Sequence, residues 1–485
     1  MEVKDLKPQL VWECFDAITK VPRPSCHEEQ IRAFLLDFAQ KHSIAVRTDE
    51  VGNVVMTKPA TPGHENAPTV ILQAHMDMVA EKNNDVEHDF LKDPIETYID
   101  GDWVKARGTT LGADNGIGMA AAMAVLIDSS LEHGPVECLF TINEEIGLEG
   151  AQNLGKDMIT GSMLINLDSE DDGEIFVGCA GGIDTTAIFN YRRSMAPENF
   201  SYIKVSVSGL LGGHSGSDIN LGRGNANKLV ARFIWECSQK WPVEVCSFDG
   251  GNLRNAIPRE AYAVFGVQSN HREELGKALE RYADEIRNEY KGVEPSMDFR
   301  IEDVERPEYC IDSETSVALV RAIYSAPHGV FSMSRDIEGL VETSTNLAAV
   351  KMIEGDKIRI TTSQRSSVES RKNDVAGQVE AHFQLSGAEV SHSDGYPGWA
   401  PNMESTIMKL SADAYEELFG VKPAIKAIHA GLECGLFLSK YPNLDMVSFG
   451  PTMTGVHSPD EKLNIPTVDK FWKHLCKVLE KVAAL

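Results

Sequence analysis

Hydrophobic residues recur along this chain with two different periods, and the changes of period mark its elements. Ile31, Phe34, Leu35 and Phe38 fall at helical spacing and predict an amphipathic helix over 27–41, with Ser25 or His27 ahead of a charged first turn. A shorter helix is predicted over 9–18. Four apolar runs bounded by turn residues follow: Asn53–Thr57, Thr69–His75, Val136–Ile142 and Met163–Asp168. They have the texture of buried strands of one sheet, and the Ala- and Met-rich stretch Gly116–Asp128 predicts a helix between two of them. Strands alternating with helices indicate an α/β core.

The texture then changes. Tyr202–Val207 and Tyr262–Val267 alternate as half-exposed antiparallel strands do. Helical periodicity runs over Ala226–Lys240, Arg272–Lys291, Ser313–Ser325 and Asp374–Leu385. Buried α/β pattern returns with a helix over Ser405–Leu418, a strand over Met446–Phe449 and a last helix from Thr467. The economical organisation is a core domain of residues 1–186 plus 394–485, interrupted by an inserted α+β domain at 187–393. No internal repeat and no low-complexity stretch interrupts this pattern.

Composition narrows the function classes. Hydrophobic residues make up 42% and charged residues 25% of the 485, enough apolar material for a real core. The net charge of -27, with no Lys/Arg-dense stretch, argues against a nucleic-acid binder. No apolar run approaches the ~18–20 residues that span a bilayer, so no membrane partner is expected. The first residues, MEVKDLKPQLVWECF, lack the apolar segment and small-residue cleavage site of a signal peptide. Nine scattered cysteines without a CxxC pair fit reduced thiols and a cytoplasmic setting. Cys14, Cys138 and Cys476 sit in apolar surroundings and are expected in the core.

Candidate chemistry concentrates at the strand ends. The strand ending in His75 continues to Asp77, and residues two apart in an extended chain share a face. Both can look into one site at the carboxyl end of the sheet, with Asp77 fixing the tautomer of a metal-bound His75. Asp114 stands in the glycine-rich turn RGTTLGADNGIG before a helix; an ordinary helix cap is the bland alternative. Its glycines allow an unusual backbone that would push the carboxylate forward. Glu144 and Glu145 follow another strand and precede Gly147; a solvated turn is the bland alternative there. Adjacent carboxylates diverge, so one suits a metal and the other a proton. Asp168 ends a further strand, and His457 lies in a Gly/Pro-rich loop, where functional residues concentrate. Two imidazoles and three carboxylates are the ligand mixture of a zinc pair ~3.5–4 Å apart sharing one bridging carboxylate.

The segments HMDMV, GTTLGADNGIG, TINEEIGLEGA, LINLDSE and GPTMTGVHSPDE together resemble the di-zinc aminopeptidase/carboxypeptidase superfamily, in particular its aminoacyl-histidine dipeptidase (peptidase D) branch. LLGGHSGSDINLGRGNANKL, GGNLRNAIPREA, YPGWAP and IHAGLECGLF extend the likeness from end to end. The resemblance implies a mixed-sheet α/β catalytic domain interrupted by an α+β lid. It implies two zinc ions per chain, replaceable by manganese or cobalt. Asp114 would bridge them, with His75 and Asp168 completing one ion and Glu145 and His457 the other. Glu144 would be general base and proton shuttle, and Asp77 would orient His75. In the lid, His214 would support the oxyanion; in relatives such a histidine comes from the same chain or from a dimer partner, so a homodimer through the lid is expected. Arg365 and Asn255 would hold a dipeptide's carboxylate, and the loop carrying His429, Gly431 and Glu433 would contact substrate, Glu433 meeting its ammonium. Cys434 has no paired histidine motif and is not read as a nucleophile. The implied activity is hydrolysis of small unblocked dipeptides, notably Xaa-His and carnosine-like ones; the same core also supports an amino-acid deacylase or carboxypeptidase, and a non-enzymatic metal-binding protein is the remote alternative.

Overall fold

The apolar runs at 70–75, 136–141, 163–166 and 445–448 pair parallel with one another in the computed structural model, which describes residues 2–485. They form the middle of an eight-stranded sheet in the order 45–48, 54–58, 136–141, 70–75, 163–166, 445–448, 174–179, 424–428. Strands 54–58 and 174–179 pair antiparallel with this centre, so the sheet is mixed, as expected. Strands Val70–His75, Val136–Thr141 and Met163–Asn166 are buried throughout because both faces are covered, which is why they read as mostly apolar runs. The helix Ala113–Ile127 packs against the sheet, and its Ala- and Met-rich sequence lets it lie almost wholly buried. The helix Glu29–Lys41 starts at Glu28, whose side chain makes no capping bond, rather than on a cap by Ser25 or His27.

The described chain falls into two compact units. The first comprises the residues up to Cys179 with Trp399–Ala427 and Leu432–Leu485. Its last helix, Ile465–Ala483, begins two residues earlier than the apolar period suggests, because the Asn464 side chain caps the Thr467 N–H and Pro466 fits the first turn.

The second unit comprises Ala180–Gly398 with Ile428–Gly431. The short segment belongs here because the Ala180 N–H donates to the Ile428 and Ala430 carbonyls. Its frame is an antiparallel sheet of nine strands. The helices Ala226–Ser238, Arg272–Glu289, Ser313–Ser325 and Glu369–Leu385 supply apolar side chains to the core beside that sheet, among them Phe233, Ile286, Leu319 and Phe383. All nine cysteines are free thiols; Cys14 and Cys138 are buried, whereas Cys476 is only half-buried. Among the described residues no helix is long and apolar enough to cross a membrane.

Candidate metal centre

His75 is the last residue of its strand, and Asp77 follows with no exposed surface. The His75 Nδ1 lies 3.1 Å from the Asp77 carbonyl and 3.3 Å from its carboxylate, which turns Nε2 forward. That Nε2 is 2.9 Å from Asp114 Oδ1 and 3.4 Å from Asp168 Oδ1. Asp77 also accepts from Ser25 Oγ at 2.8 Å and from the backbone N–H groups of Glu144 and Glu145 at 3.0 and 3.3 Å. One buried carboxylate therefore sets both the imidazole orientation and the turn that delivers the two glutamates.

Asp114 is not a helix cap. Gly112, at φ +68°, stands at the helix start, and Asp114 and Asn115 keep non-helical backbone angles, joined by a cis peptide bond. Glu461 wraps this turn: its carboxylate accepts from the N–H groups of Leu111, Gly112, Ala113 and Asp114 at 2.7, 3.0, 2.7 and 3.3 Å. The guanidinium of Arg23 donates to the carbonyls of Met76, Asp77 and Gly112. Asn115 reaches the Asp168 carboxylate, and a Cβ at Gly118 would stand 1.9 Å from the Asn115 side chain, so only glycine fits there.

The outcome is a carboxylate with a different imidazole on each oxygen. Asp114 Oδ2 lies 3.1 Å from His457 Nε2, and that nitrogen is 2.9 Å from Glu145 Oε2. His75, Asp114 and Asp168 form one group whose ligand atoms lie within 4.8 Å of one another; Asp114, Glu145 and His457 form a second, and His75, Glu144 and Glu145 a third.

Electrostatics mark the cluster as built for cations. Burial pushes the Asp168 carboxyl up to about 6, partly opposed by His75. Burial pushes Glu144 well above the carboxylate range; His75 opposes this, and Asp168, Glu433 and Glu145 add to it. For Asp114 burial acts upward too, but hydrogen bonds from His457 and His75 outweigh it and hold the carboxyl far below its usual value. Hydrogen bonds to Asp114 and Glu145 push His457 up to about 11. Burial lowers His75, yet Asp168 and Asp114 raise it well above its ordinary value. Protonated imidazoles would serve as counter-charges to these carboxylates, a role divalent cations would take over by displacing the protons. Glu145 Oε1 is buried without a hydrogen-bond partner, an orphaned acceptor that a cation would satisfy. Imidazole nitrogens and carboxylate oxygens suit zinc, and also manganese or cobalt.

The second unit holds its own polar cluster. Arg365 donates to Tyr396 Oη at 3.0 Å, and its Nε has no partner. Burial and then the Arg365 charge lower His214, and the same two causes bring His429 down to about 3, so both rings are neutral. His429 lies 2.7 Å from Ser344 Oγ, and a Cβ on Gly431 would press on the Tyr396 ring at 2.9 Å. Asn255 is exposed, next to Ala256, which pairs with His214 in a two-residue ribbon. The cluster is cationic and carries an unpaired guanidinium donor, which suits an anionic group.

Glu433 is buried and hydrogen-bonded to side chains of the central strands. It is 1% exposed within the first unit, and its Oε2 accepts from Gln73 Nε2 at 2.5 Å and Thr141 Oγ1 at 3.0 Å. Burial pushes its carboxyl up to about 8. Cys434 beside it is fully buried, and its thiol is pushed well above its usual value by burial.

Arg23 and Glu461 carry no role in the sequence reading. Glu461 stood within the GPTMTGVHSPDE stretch but without a strand or helix period to orient it. Glu461→Ala leaves four backbone N–H groups without their acceptor, at roughly 1–3 kcal/mol for each that stays buried and unpaired. A drop of about 3 kcal/mol or more in unfolding free energy is expected by urea titration; an unchanged midpoint would show that the turn holds itself.

Comparison with known proteins follows the same lines. The model of peptidase family M20/M25/M40 matches residues 71–481. The chain is 44% identical over 483 residues to the cytosol non-specific dipeptidase of Escherichia coli strain K12, covering 100% of this chain and 99% of that one. Its fold matches the crystal structure of aminoacylhistidine dipeptidase from Vibrio alginolyticus at TM-score 0.93 and 44% identity, over 99% of this chain and 98% of the other. Aminopeptidase PepT of Bacillus cereus shares the fold at TM-score 0.58 and 17% identity, over 99% of both chains.

Proposed function

The chain belongs to peptidase family M20/M25/M40, and we propose from this that its imidazole–carboxylate cluster holds two zinc ions, with Glu144 beside them moving the proton in dipeptide hydrolysis. The activity is that of a metal-dependent dipeptidase acting on small peptides. The observation that carries the two-ion reading is Asp114, whose oxygens lie 2.9 Å from His75 and 3.1 Å from His457. His75 and Asp168 would complete one ion, Glu145 and His457 the other. When bound, the metal pair acidifies water and polarises the scissile carbonyl.

The protein's own groups do the rest. Glu144 takes the proton of the attacking water and returns it to the leaving amine; burial raises its carboxyl, which favours taking the proton up. Asp77 holds His75 in one tautomer through Nδ1. From the second unit, read as a lid over roughly 187–393, neutral His214 supports the oxyanion. Arg365, with Asn255, His429 and Gly431 near it in the reading, takes the C-terminal carboxylate. Substrates are unblocked dipeptides, Xaa-His and carnosine-like ones among them.

A cytoplasmic setting is supported by the nine free thiols and by the cytosolic relative. A homodimer through the second unit is supported by the strand Gly329–Met333, which pairs on one side only and exposes Val330, Phe331 and Met333.

The test is an assay of metal-depleted and zinc-restored protein against Ala-His and N-acetyl-histidine, with elemental analysis and sedimentation velocity. About two zinc per chain, rapid Ala-His turnover and a dimer are expected. A preference for N-acetyl-histidine would make the protein a deacylase; about one zinc per chain at saturation would remove the pair.

A further inference from the structure

Beneath the metal ligands lies a second polar layer. Its side chains come one from each of the four parallel central strands: Gln73 from 70–75, Thr141 from 136–141, Asn166 from 163–166 and Ser448 from 445–448. All four are fully buried. Gln73 lies two residues before His75 and leaves the sheet on the same face. Each of the four strands runs on to a different ligand: 70–75 to His75, 136–141 to Glu145, 163–166 to Asp168, and 445–448 to the loop of His457.

The bonds within the layer point one way. Ser448 Oγ donates to Asn166 Oδ1 at 2.5 Å, Asn166 Nδ2 donates to Gln73 Oε1 at 2.6 Å, and Gln73 Nε2 donates to Glu433 Oε2 at 2.5 Å. Thr141 Oγ1 donates to the same carboxyl oxygen at 3.0 Å. The amides of Asn166 and Gln73 spend both ends on this chain, so their orientation is set by what terminates it. Glu433 is that terminus. It enters from the first turn of the helix Glu433–Lys440, outside the sheet, and no other acid belongs to the layer.

We propose that Glu433 is a positioning residue for the metal ligands, the terminal acceptor of a Ser448–Asn166–Gln73 hydrogen-bond chain that locks the relative heights of the four ligand-bearing strand ends. The proposal rests on the reading that those ligands bind zinc. It also explains why a carboxyl in the substrate-loop segment is turned into the interior. Chains of this kind strengthen one another and rigidify when every member is satisfied.

Two variants of the full-length protein separate the roles. Glu433→Gln keeps a carbonyl acceptor for Gln73 and Thr141; Glu433→Leu keeps the approximate volume and removes the acceptor. Zinc affinity, by calorimetry and chelator competition on metal-depleted protein, is expected within about threefold of the parent for Glu433→Gln and about 10–100-fold weaker for Glu433→Leu. KM for Ala-His is expected to stay within about threefold in the Gln variant. A tenfold or greater rise of KM in Glu433→Gln at parental zinc affinity would instead assign Glu433 to the substrate's ammonium. Parental zinc affinity in Glu433→Leu would reduce the layer to core polarity. Should Glu433→Leu fail to fold, Ser448→Ala at the far end is expected to weaken zinc binding by about 3–10-fold, and an unchanged affinity there overturns the proposal. A parent protein that binds no zinc would fail the metal reading itself, an outcome distinct from either variant result.

Discussion

Glu144→Ala is expected to lower kcat for Ala-His by about three orders of magnitude while zinc content and KM stay near their parental values. Glu144 and Glu145 are neighbours, yet they are placed for different work. Glu145 Oε2 is committed to His457 at 2.9 Å, and its other oxygen is buried and unpaired. The Glu144 carboxyl lies within the His75–Glu145 group, and burial holds it well above the usual range, with Asp168, Glu433 and Glu145 adding to that against His75. A carboxyl raised in this way takes a proton from the attacking water more readily than an ordinary surface glutamate does. Its backbone N–H, held by Asp77 at 3.0 Å, survives truncation, so the turn and the ligand beside it stay where they are. Steady-state kinetics with elemental analysis decide the matter. A parental kcat removes Glu144 as the base, and a parallel loss of zinc makes it a ligand instead. Glu144→Gln should match the alanine variant in kcat, since an amide keeps the shape and cannot carry the proton.

The central strands of the first unit were legible because their burial is mostly apolar, Val70–His75 and Val136–Thr141 being buried at every position, whereas its outer strands 45–48, 174–179 and 424–428, partly exposed, were not. In the second unit the same logic fails for two of its long strands. Val341–Ile353 and Lys357–Ser366 bury Thr343, Ser344, Thr345, Asn346, Thr362, Ser363 and Gln364, so no apolar alternation announces them. The polar runs face each other across the pair, Thr345 against Gln364 and Thr343 against Ser366, and satisfy one another with hydrogen bonds. The helix Glu369–Leu385 likewise starts before its apolar period does, because its first turn is Glu-Ser-Arg-Lys.

The site was legible by a different route. His75, Asp114, Glu145, Asp168 and His457 were each ambiguous alone, and strand-end placement joined them before any coordinates did. Arg23 and Glu461 escaped because their partners are backbone groups: three carbonyls for the one and four N–H groups for the other. Nothing in residue spacing records such bonds. The bonds of Glu433 escaped for a related reason. Its acidic type suggests an ammonium, and spacing does not record its burial or its partners Gln73 and Thr141.

Asp114→Asn tests the bridge, and its expected effect is the loss of the metal centre rather than of the fold. An amide offers one acceptor and one donor where the carboxylate offers two acceptors. Asp114 Oδ1 stands 2.9 Å from His75 Nε2 and Oδ2 3.1 Å from His457 Nε2, so whichever way the amide turns, one ligand group meets an NH2. The variant also removes the charge shared by both groups. Zinc content is expected to fall to about one per chain or less, and kcat/KM by more than the roughly 100-fold typical of losing a supporting partner. Thermal denaturation adds a readout independent of activity. Zinc at roughly 100 times its Kd stabilises a folded protein by about 2.7 kcal/mol, so the parent's melting temperature should rise on zinc addition and the variant's should not. The metal-free variant should melt somewhat below the metal-free parent, because Asp114 pairs with both imidazoles and its depressed carboxyl stabilises the fold, but it should still fold, since Glu461 holds the turn through backbone N–H groups that the substitution leaves in place. Asp168→Asn is the control: Asp168 belongs to the His75 group alone, so the group of Asp114, Glu145 and His457 should keep its ion. Parental zinc content in Asp114→Asn would remove Asp114 as the bridge, and equal losses in the two variants would mean that the groups bind as one indivisible site.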